Sequence, residues 1–190
     1  MQLSFLGDGP RVLVDDATGR IEYVPGFIGL DRARAWFEEL RGGVAWRSER
    51  RMMYDREVDV PRLVASFRLD AGDAPAAVVE AERRVVEATG TPFTNVGLNL
   101  YRDGRDSVAP HNDHTDEIVA GHPIALISLG AARRMTIRSK ARPPHRYDLD
   151  LEPGSLLVMS YETQAFYDHG IPKTVEPVGE RISMAFRVRR

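Results

Sequence analysis

Histidine and carboxylate side chains crowd into residues 111–117 of the segment VAPHNDHTDEIV. In an extended segment the side chains of residues i and i+2 point to the same face, so His111 and Asp113 can reach one metal ion. The H-x-D spacing alone arises often by chance in solvated turns. The choice between a metal site and an ordinary turn therefore depends on the rest of the chain.

A further histidine, His169 in YDHGIP, follows the strand-like segment GSLLVMS and precedes RISMAFRV. Two histidines and one carboxylate on a β scaffold form the facial triad of non-haem Fe(II) oxygenases, which leaves coordination positions open for a co-substrate and oxygen. The chain has no cysteine, which excludes thiolate zinc sites, Cys-ligated iron–sulfur clusters and a cysteine nucleophile. Any metal is therefore bound by imidazole and carboxylate groups, which suits iron, manganese or zinc.

The last strand-like segment, RISMAFRV, alternates apolar residues with a second set that consists of Arg181, Ser183, Ala185 and Arg187. Two guanidinium groups that face the interior of a barrel are costly without anionic partners. The planar fork of arginine suits a carboxylate. Arg181 and Arg187 lie ~20 Å apart along a strand and, if they lean toward each other, could hold the two ends of a short dicarboxylate.

The elements that must position these residues are short strands preceded by two helices. RVLVDD and RIEYV predict a hairpin over residues 11–24. DRARAWFEELRGG predicts a helix with Asp31 as N-cap, and residues 75–89 predict a second helix that ends at Gly90. Six apolar, strand-like segments follow residue 90. This order predicts an α+β protein with a double-stranded β-helix (jelly-roll) core and the helices packed outside.

Composition indicates one globular domain of 190 residues, with 43% hydrophobic and 28% charged residues. We expect a cytoplasmic protein, because no signal peptide and no membrane-length apolar run is present. The net charge of −2 gives the whole chain no general attraction for nucleic acid. Residues 131–146, however, contain six Arg or Lys and no acid, which indicates either a solvated hairpin or a polyanion-binding patch.

These residues occur in an order that resembles the AlkB-like family of Fe(II)- and 2-oxoglutarate-dependent dioxygenases, which are nucleic-acid demethylases. The resemblance covers roughly residues 45–190 and includes the segments DVPRLVASF, PIALISLGAARRMTIRSK and EPGSLLVM. Its ordered motifs are N-x-Y, H-x-D, a later histidine and R-x5-R. The resemblance implies one domain over residues 1–190, with an N-terminal extension and substrate lid in 1–90 and the jelly-roll core in 91–190.

The resemblance also implies a role for each motif residue. Fe(II) would be bound by His111, Asp113 and His169. The co-substrate 2-oxoglutarate would pair with Arg181 at its distal carboxylate and with Arg187 near the metal, and would contact Asn99, Tyr101 and Ser183. With O2, such an enzyme hydroxylates the N-alkyl carbon of a damaged base, and succinate, CO2 and formaldehyde are released.

The substrate residues are less clearly marked, because the chain departs from the family pattern. Thr115 occupies a position where the family often has a base-contacting acid, and Asp116 follows it. Ser183 stands where an asparagine is common, and FRLDAGDAPAAV lacks the expected Tyr-Gly pair and aromatic hairpin. Base flipping into a pocket is the expected mode. Candidate base-contacting or lid residues are Tyr54, Phe67, Thr115, Asp116, Trp46 and Met53, although the aromatic residues among them could equally be core.

The resemblance favours the functional interpretation of the basic segment. The residues expected to contact a nucleic-acid backbone are Arg133, Arg134, Arg138, Lys140, Arg142 and Lys173. The expected partner is alkylated DNA or RNA, bound by a monomer without a membrane or an obligate protein partner. Two alternatives remain open: a 2-oxoglutarate oxygenase that acts on a protein, lipid or small molecule, and a non-catalytic jelly-roll module that binds a metal.

Overall fold

A computed structural model of the chain describes residues 9–53 and 56–190, with side chains described outside residues 49–59. In chain order the strands are β1 (Arg11–Asp16), β2 (Gly19–Val24), β3 (Arg47–Met53), β4 (Arg56–Arg68), β5 (Asn95–Tyr101), β6 (Val108–His111), β7 (Ile124–Gly130), β8 (Arg133–Ser139), β9 (Arg146–Leu151), β10 (Leu156–Met159), β11 (Tyr167–Ile171) and β12 (Arg181–Arg187). The helices are α1 (Leu30–Gly43), α2 (Ala76–Thr89) and α3 (Thr163–Phe166). No helix in the described part of the chain has the length and apolar character needed to span a membrane.

The described strands form two antiparallel sheets. The larger sheet has the order β1-β2-β10-β7-β12-β5-β4-β3, and the smaller has the order β6-β11-β8-β9. Side chains from both sheets, among them Leu126 and Leu157 of the larger and Ile137 and Leu149 of the smaller, pack in one core between them. We call the face that each sheet turns toward the other its inner face. This arrangement confirms the predicted jelly-roll.

A second core lies on the other face of the larger sheet, under the helices. Trp36 and Leu40 of α1 and Val85 of α2 pack there against Leu98 of β5 and Met184 of β12. Because strand side chains alternate between the two faces, every second residue of β5 and β12 is left for the inner face. The arginines of β12 lie on the inner face, since Ile182, Met184 and Phe186 of the alternate set all lie in the helix-side core.

The helix boundaries follow the local signals in the sequence. α1 begins at Leu30, so that Gly29 is its N-cap and Asp31, predicted as the N-cap, lies in its first turn. An acid in the first turn stabilises the positive end of the helix dipole. α2 ends at Thr89, and its C-cap is Gly90, whose φ of 66° lies in the left-handed region that glycine adopts without strain.

The expected division at residue 90 does not correspond to a structural boundary. β1, β2, β3 and β4 all precede residue 90, yet they form both ends of the larger sheet. The N-terminal half is therefore part of the barrel wall as well as a candidate lid. Tyr54, one of the expected lid residues, lies outside the described residues, and so does the side chain of Met53.

Arg133 is buried, and this corrects the prediction that it contacts nucleic acid. Its side chain faces the inside together with Met135 and Ile137, and only 3% of the residue is exposed. The guanidinium donates to the backbone carbonyls of Asp103 at 2.9 Å, Asp106 at 2.9 Å and Pro172 at 2.8 Å. Arg133 therefore ties the loop that leads into β6 to the segment that follows β11.

We expect Arg133→Met to lower the free energy of unfolding by roughly 2–4 kcal/mol, because three carbonyls lose a charged donor. The matched control is Arg134→Met. Arg134 is exposed and pairs with Asp150 at 2.9 Å, so its loss should change the free energy of unfolding much less than the loss of Arg133. Urea unfolding measures both. Equal losses for the two variants would contradict the tethering role of Arg133.

Candidate metal centre and co-substrate pocket

The three predicted metal ligands come together at the edge of the smaller sheet. His111 ends β6 and pairs directly with His169 of β11, and their ring centroids lie 4.5 Å apart. Asp113 lies two residues beyond His111. One potential ligand atom from each residue lies within 4.8 Å of the other two. Two imidazoles and a carboxylate at this spacing form a donor set that fits Fe(II).

The His111 ring is oriented by its own backbone. Nδ1 lies 2.9 Å from the carbonyl oxygen of Ala109, which favours the tautomer that donates from Nδ1. Nε2 is then free to act as a ligand, and it lies 3.9 Å from Oδ1 of Asp113. A second partner that fixes the imidazole tautomer is typical of metal-binding histidines.

His169 is almost fully buried. Burial lowers the pKa of this imidazole to about 4, and the nearby His111 contributes in the same direction. The ring is therefore neutral at pH 7, with a lone pair available to a metal. The site therefore combines a buried histidine with an accessible one, since 43% of the His111 side chain is exposed.

Asp113 is held on both sides by side chains from other elements. Arg187 of β12 donates from Nε and approaches with Nη2, each 2.8 Å from Oδ2. The backbone N–H of Asp113 donates to Oε1 of Gln164 at 2.9 Å. Burial raises the pKa of Asp113, but Arg187 and His169 outweigh this effect, and the pKa lies below its usual value. The carboxylate is thus ionised, with Oδ1 turned toward His111.

Arg187 therefore lies beside the metal ligands, where the resemblance expected it to assist the co-substrate. Its described contacts are to Asp113 and to the carbonyl of Ala185 at 3.2 Å. Because Arg187 holds Oδ2 of Asp113, Oδ1 faces His111. In the described structure Arg187 orients a predicted metal ligand, and contact with the co-substrate stays a prediction.

Arg181 forms the clearest anion site in the described structure. The residue is 1% exposed, and its Nη2 donates to Oγ of Ser128 at 2.8 Å. Nε and Nη1 are buried and have no hydrogen-bond partner in the described part of the chain. No described carboxylate lies within 4.0 Å of it, and the Tyr101 ring lies 5.1 Å away. Burial lowers the pKa of Arg181, whereas Tyr101 acts in the opposite direction. A buried, incompletely bonded guanidinium fits a ligand carboxylate.

Polar residues that line the same inner face connect the two arginines. Ser183 and Asn99 lie on neighbouring strands, and Nδ2 of Asn99 donates to Oγ of Ser183 at 3.4 Å. Oδ1 of Asn99 accepts a hydrogen bond from Nε of Arg62 at 2.7 Å, which assigns the orientation of the amide. The expected 2-oxoglutarate residues Asn99, Tyr101, Ser183 and Arg181 are thus grouped on β5 and β12.

Ser128, Gln164 and Arg62 were not identified from the sequence. Ser128 had a readable signal, because it is a polar residue on the same face as Ile124 and Leu126 of β7. Gln164 lies in the four-residue helix α3 and Arg62 in β4, and neither segment gave a pattern that assigns a face.

The predicted substrate residues are dispersed. Phe67 packs in the helix-side core, on the opposite face of the larger sheet from Asn99, so the prediction that it contacts a base is wrong. Trp46 packs against the same core and donates from Nε1 to the carbonyl of Arg41 at 3.3 Å. Thr115 and Asp116 follow the predicted ligand Asp113 in a turn, where Thr115 is partly buried and Asp116 is exposed. Their role stays a prediction.

Apart from Arg134, which is exposed and pairs with Asp150, the rest of the basic segment lies around a groove on the outer face of the smaller sheet. The groove has a volume of ≈ 1020 Å³, and its charged lining residues are Arg138, Lys140, Arg142, Arg146 and Asp168. Among the described residues Arg138 and Arg142 are in no ion pair, whereas Arg146 pairs with Asp148 at 3.0 Å and Lys140 with Asp168 at 3.4 Å. Pro110, the neighbour of His111, also lines this groove. Lys173 is exposed and lies outside its lining.

Comparison with known proteins agrees with this geometry. Alpha-ketoglutarate-dependent dioxygenase alkB homolog 3 of Bos taurus is 30% identical over 187 residues, which cover 88% of this chain and 65% of that protein. The Homo sapiens protein of the same name is 29% identical, with the same coverage of 88% and 65%. DNA oxidative demethylase ALKBH2 of Mus musculus is 36% identical over 111 residues, which cover 55% of this chain and 46% of that protein.

The chain spans less than two thirds of the length of these relatives. The family model described as the 2OG-Fe(II) oxygenase superfamily matches residues 70–187, which include all three predicted ligands and both arginines of β12. Its match covers more than half of the chain. By this match, and in agreement with its alkB-homologue relatives, the chain belongs to the 2OG-Fe(II) oxygenase superfamily.

Proposed function

We propose that this chain oxidatively dealkylates N-alkylated bases in DNA or RNA, with Fe(II), 2-oxoglutarate and O2. The observation that carries the oxygenase part is the buried Arg181, whose Nε and Nη1 have no hydrogen-bond partner among the described residues and which shares the inner face of β12 with Arg187. A non-catalytic metal-binding module would gain nothing from this uncompensated cation. The nucleic-acid part is supported by the basic groove and by the name of the relative DNA oxidative demethylase ALKBH2.

In this proposal His111, Asp113 and His169 hold Fe(II), and Arg181 with Ser128 holds the distal carboxylate of 2-oxoglutarate. Asn99 presents its amide N–H group toward the co-substrate because Arg62 fixes the carbonyl end. When bound, the iron and 2-oxoglutarate supply an oxidation in which one atom of O2 enters succinate, formed with CO2, and the other hydroxylates the alkyl carbon.

The last step needs only the substrate and a proton transfer. In the N-hydroxymethyl product the C–N bond breaks, the hydroxyl proton moves to the ring nitrogen or is exchanged with solvent, and formaldehyde leaves. The protein contributes by excluding water from the inner face of the barrel, where Ile124, Leu126 and Ile137 form the apolar wall.

The substrate could instead be a protein, a lipid or a small molecule. Thr115 in place of a base-contacting acid and the net charge of −2 favour this second candidate. The basic groove favours nucleic acid, because Arg138 and Arg142 have no ion-pair partner among the described residues. The two candidates share the iron chemistry and differ only in the substrate, so one assay separates them.

We expect formaldehyde release from oligonucleotides that carry N-methylated bases when Fe(II), 2-oxoglutarate and O2 are all present. Methylated DNA and RNA, single- and double-stranded, are compared, and unmethylated oligonucleotides serve as the substrate control. His111→Ala removes a ligand and should reduce turnover by at least roughly 100-fold. Succinate formation without formaldehyde from any nucleic acid would support the second candidate. Full turnover by the His111→Ala variant would refute the metal assignment.

Arg181→Met should change co-substrate binding and stability in opposite directions. We expect the affinity for 2-oxoglutarate to fall by roughly 30- to 1000-fold, because a buried charge pair is lost. The free energy of unfolding without co-substrate should rise by about 1–2 kcal/mol, because an apolar side chain replaces an incompletely bonded cation. Calorimetric titration and urea unfolding measure these quantities. A destabilised variant that retains its affinity would show that Arg181 has a purely structural role.

The groove predicts a change in the salt dependence of binding. Arg138→Gln with Arg142→Gln should reduce the slope of log K against log salt for a single-stranded oligonucleotide by about 0.7 for each lost phosphate contact. Arg134→Gln is the control, because Arg134 already pairs with Asp150 and lies outside the groove lining. Fluorescence anisotropy without O2 prevents turnover during the measurement. An unchanged slope in the double variant would identify the basic residues as a solvated surface.

A further inference from the structure

The ligand Asp113 lies where the sheets support the backbone least. β6 ends at His111, and residues 112–114 belong to no strand. The backbone N–H of Asp113 donates to a side chain, Oε1 of Gln164. The position of this ligand therefore depends on how firmly Gln164 is held.

Gln164 is in turn held by Lys140, which follows the end of β8. Nζ of Lys140 donates to the carbonyl of Gln164 at 3.2 Å, and the backbone N–H of Lys140 donates to the carbonyl of Phe166 at 2.8 Å. Gln164 and Phe166 belong to α3, a helix of four residues. So short a helix has little stability of its own, and its position depends on such contacts.

The same ammonium group contacts the neighbours of the other ligands. Oδ1 of Asn112, the residue between His111 and Asp113, lies 3.5 Å from Nζ. Oδ1 of Asp168, the residue before His169, lies 3.4 Å from Nζ. Asn112 also donates from Nδ2 to the carbonyl of Asp113 at 3.2 Å. One side chain thus contacts every segment that carries a ligand.

We propose that Lys140 is a positioning residue for the His111–Asp113–His169 triad, and not one of the phosphate contacts that the sequence suggested. Its three oxygen partners use the donors of the ammonium group. They connect the start of the β8–β9 turn to the loop after β6, to α3 and to β11. The inference rests on the proposed metal site and is independent of the proposed substrate.

Charge and position make opposite contributions to metal binding at this site. A cation near a bound divalent metal repels it, so removal of the Lys140 charge by itself raises the affinity for metal. Loss of a residue that orients the ligands lowers the affinity, typically by 10- to 100-fold for groups that support metal ligands. A fall in affinity after removal of a positive charge can therefore be assigned to position.

The test is a titration with Co(II), in the absence of O2, nucleic acid and 2-oxoglutarate. We expect Lys140→Met to bind Co(II) roughly 10- to 100-fold more weakly and to alter the visible absorption bands of the bound ion. Arg142→Met is the matched control, since Arg142 is exposed in the same turn and is in no ion pair among the described residues. It should bind Co(II) with unchanged or slightly higher affinity and with unchanged bands.

A cycle with Asn112→Ala tests the coupling directly. If the ammonium acts through Asn112 and its neighbours, Lys140→Met should cost less in the Asn112→Ala background than in the wild type. Where thermal melting shows that Lys140→Met is unfolded, Lys140→Gln replaces it. Equal or higher Co(II) affinity with unchanged bands overturns the inference, and so does an equal loss in Arg142→Met. A protein that passes this test and releases no formaldehyde refutes the proposed function alone.

Discussion

The guanidinium of Arg181 lies in the interior of the barrel, where Nη2 donates to Ser128 and where Nε and Nη1 have no hydrogen-bond partner among the described residues. Such a charge costs several kcal/mol unless an anion accompanies it. The strand can carry this charge because its other face is apolar. Ile182, Met184 and Phe186 are fully buried under the helices, and each contributes roughly 1.5–3 kcal/mol through burial. Packing on one face of β12 thus supports an unfavourable but functional arrangement on the other.

The same strand connects the buried Arg181 to the candidate metal centre. Arg181 begins β12 and Arg187 ends it, so the two guanidinium groups are fixed by one ladder between β5 and β7. Arg187 holds Asp113, which no strand of the described structure supports. The geometry of the triad therefore depends on the larger sheet, although both histidines belong to the smaller one. A shift in the register of β12 would displace both sites together.

Much of this arrangement could be predicted from alternation along individual strands. The inward arginines of RISMAFRV, the hairpin over residues 11–24 and the helix ending at Gly90 follow from local patterns. The same alternation in RRMTIRS places Arg133 on the buried face with Met135 and Ile137. The many positive charges in this segment instead favoured the prediction that Arg133 is exposed. β6 and β11 could not be predicted, because VAPH and YDHGI are short and lack an alternating pattern. Their pairing is set by contacts distant in sequence.

Because side chains alternate along a strand, the smaller sheet presents the predicted histidine ligands and the basic groove on opposite faces. His169 and Ile137 face the inside. Asp168 and Arg138, their neighbours in the chain, lie opposite each other in the β11–β8 ladder and face outward beside the groove. Asp168 and Arg138 beside the groove are therefore the direct chain neighbours of His169 and Ile137 on the inner face. Lys140 spans this boundary, since it lines the groove and its ammonium contacts Asn112 between two ligands. The basic groove and the geometry of the triad are therefore physically linked through this residue.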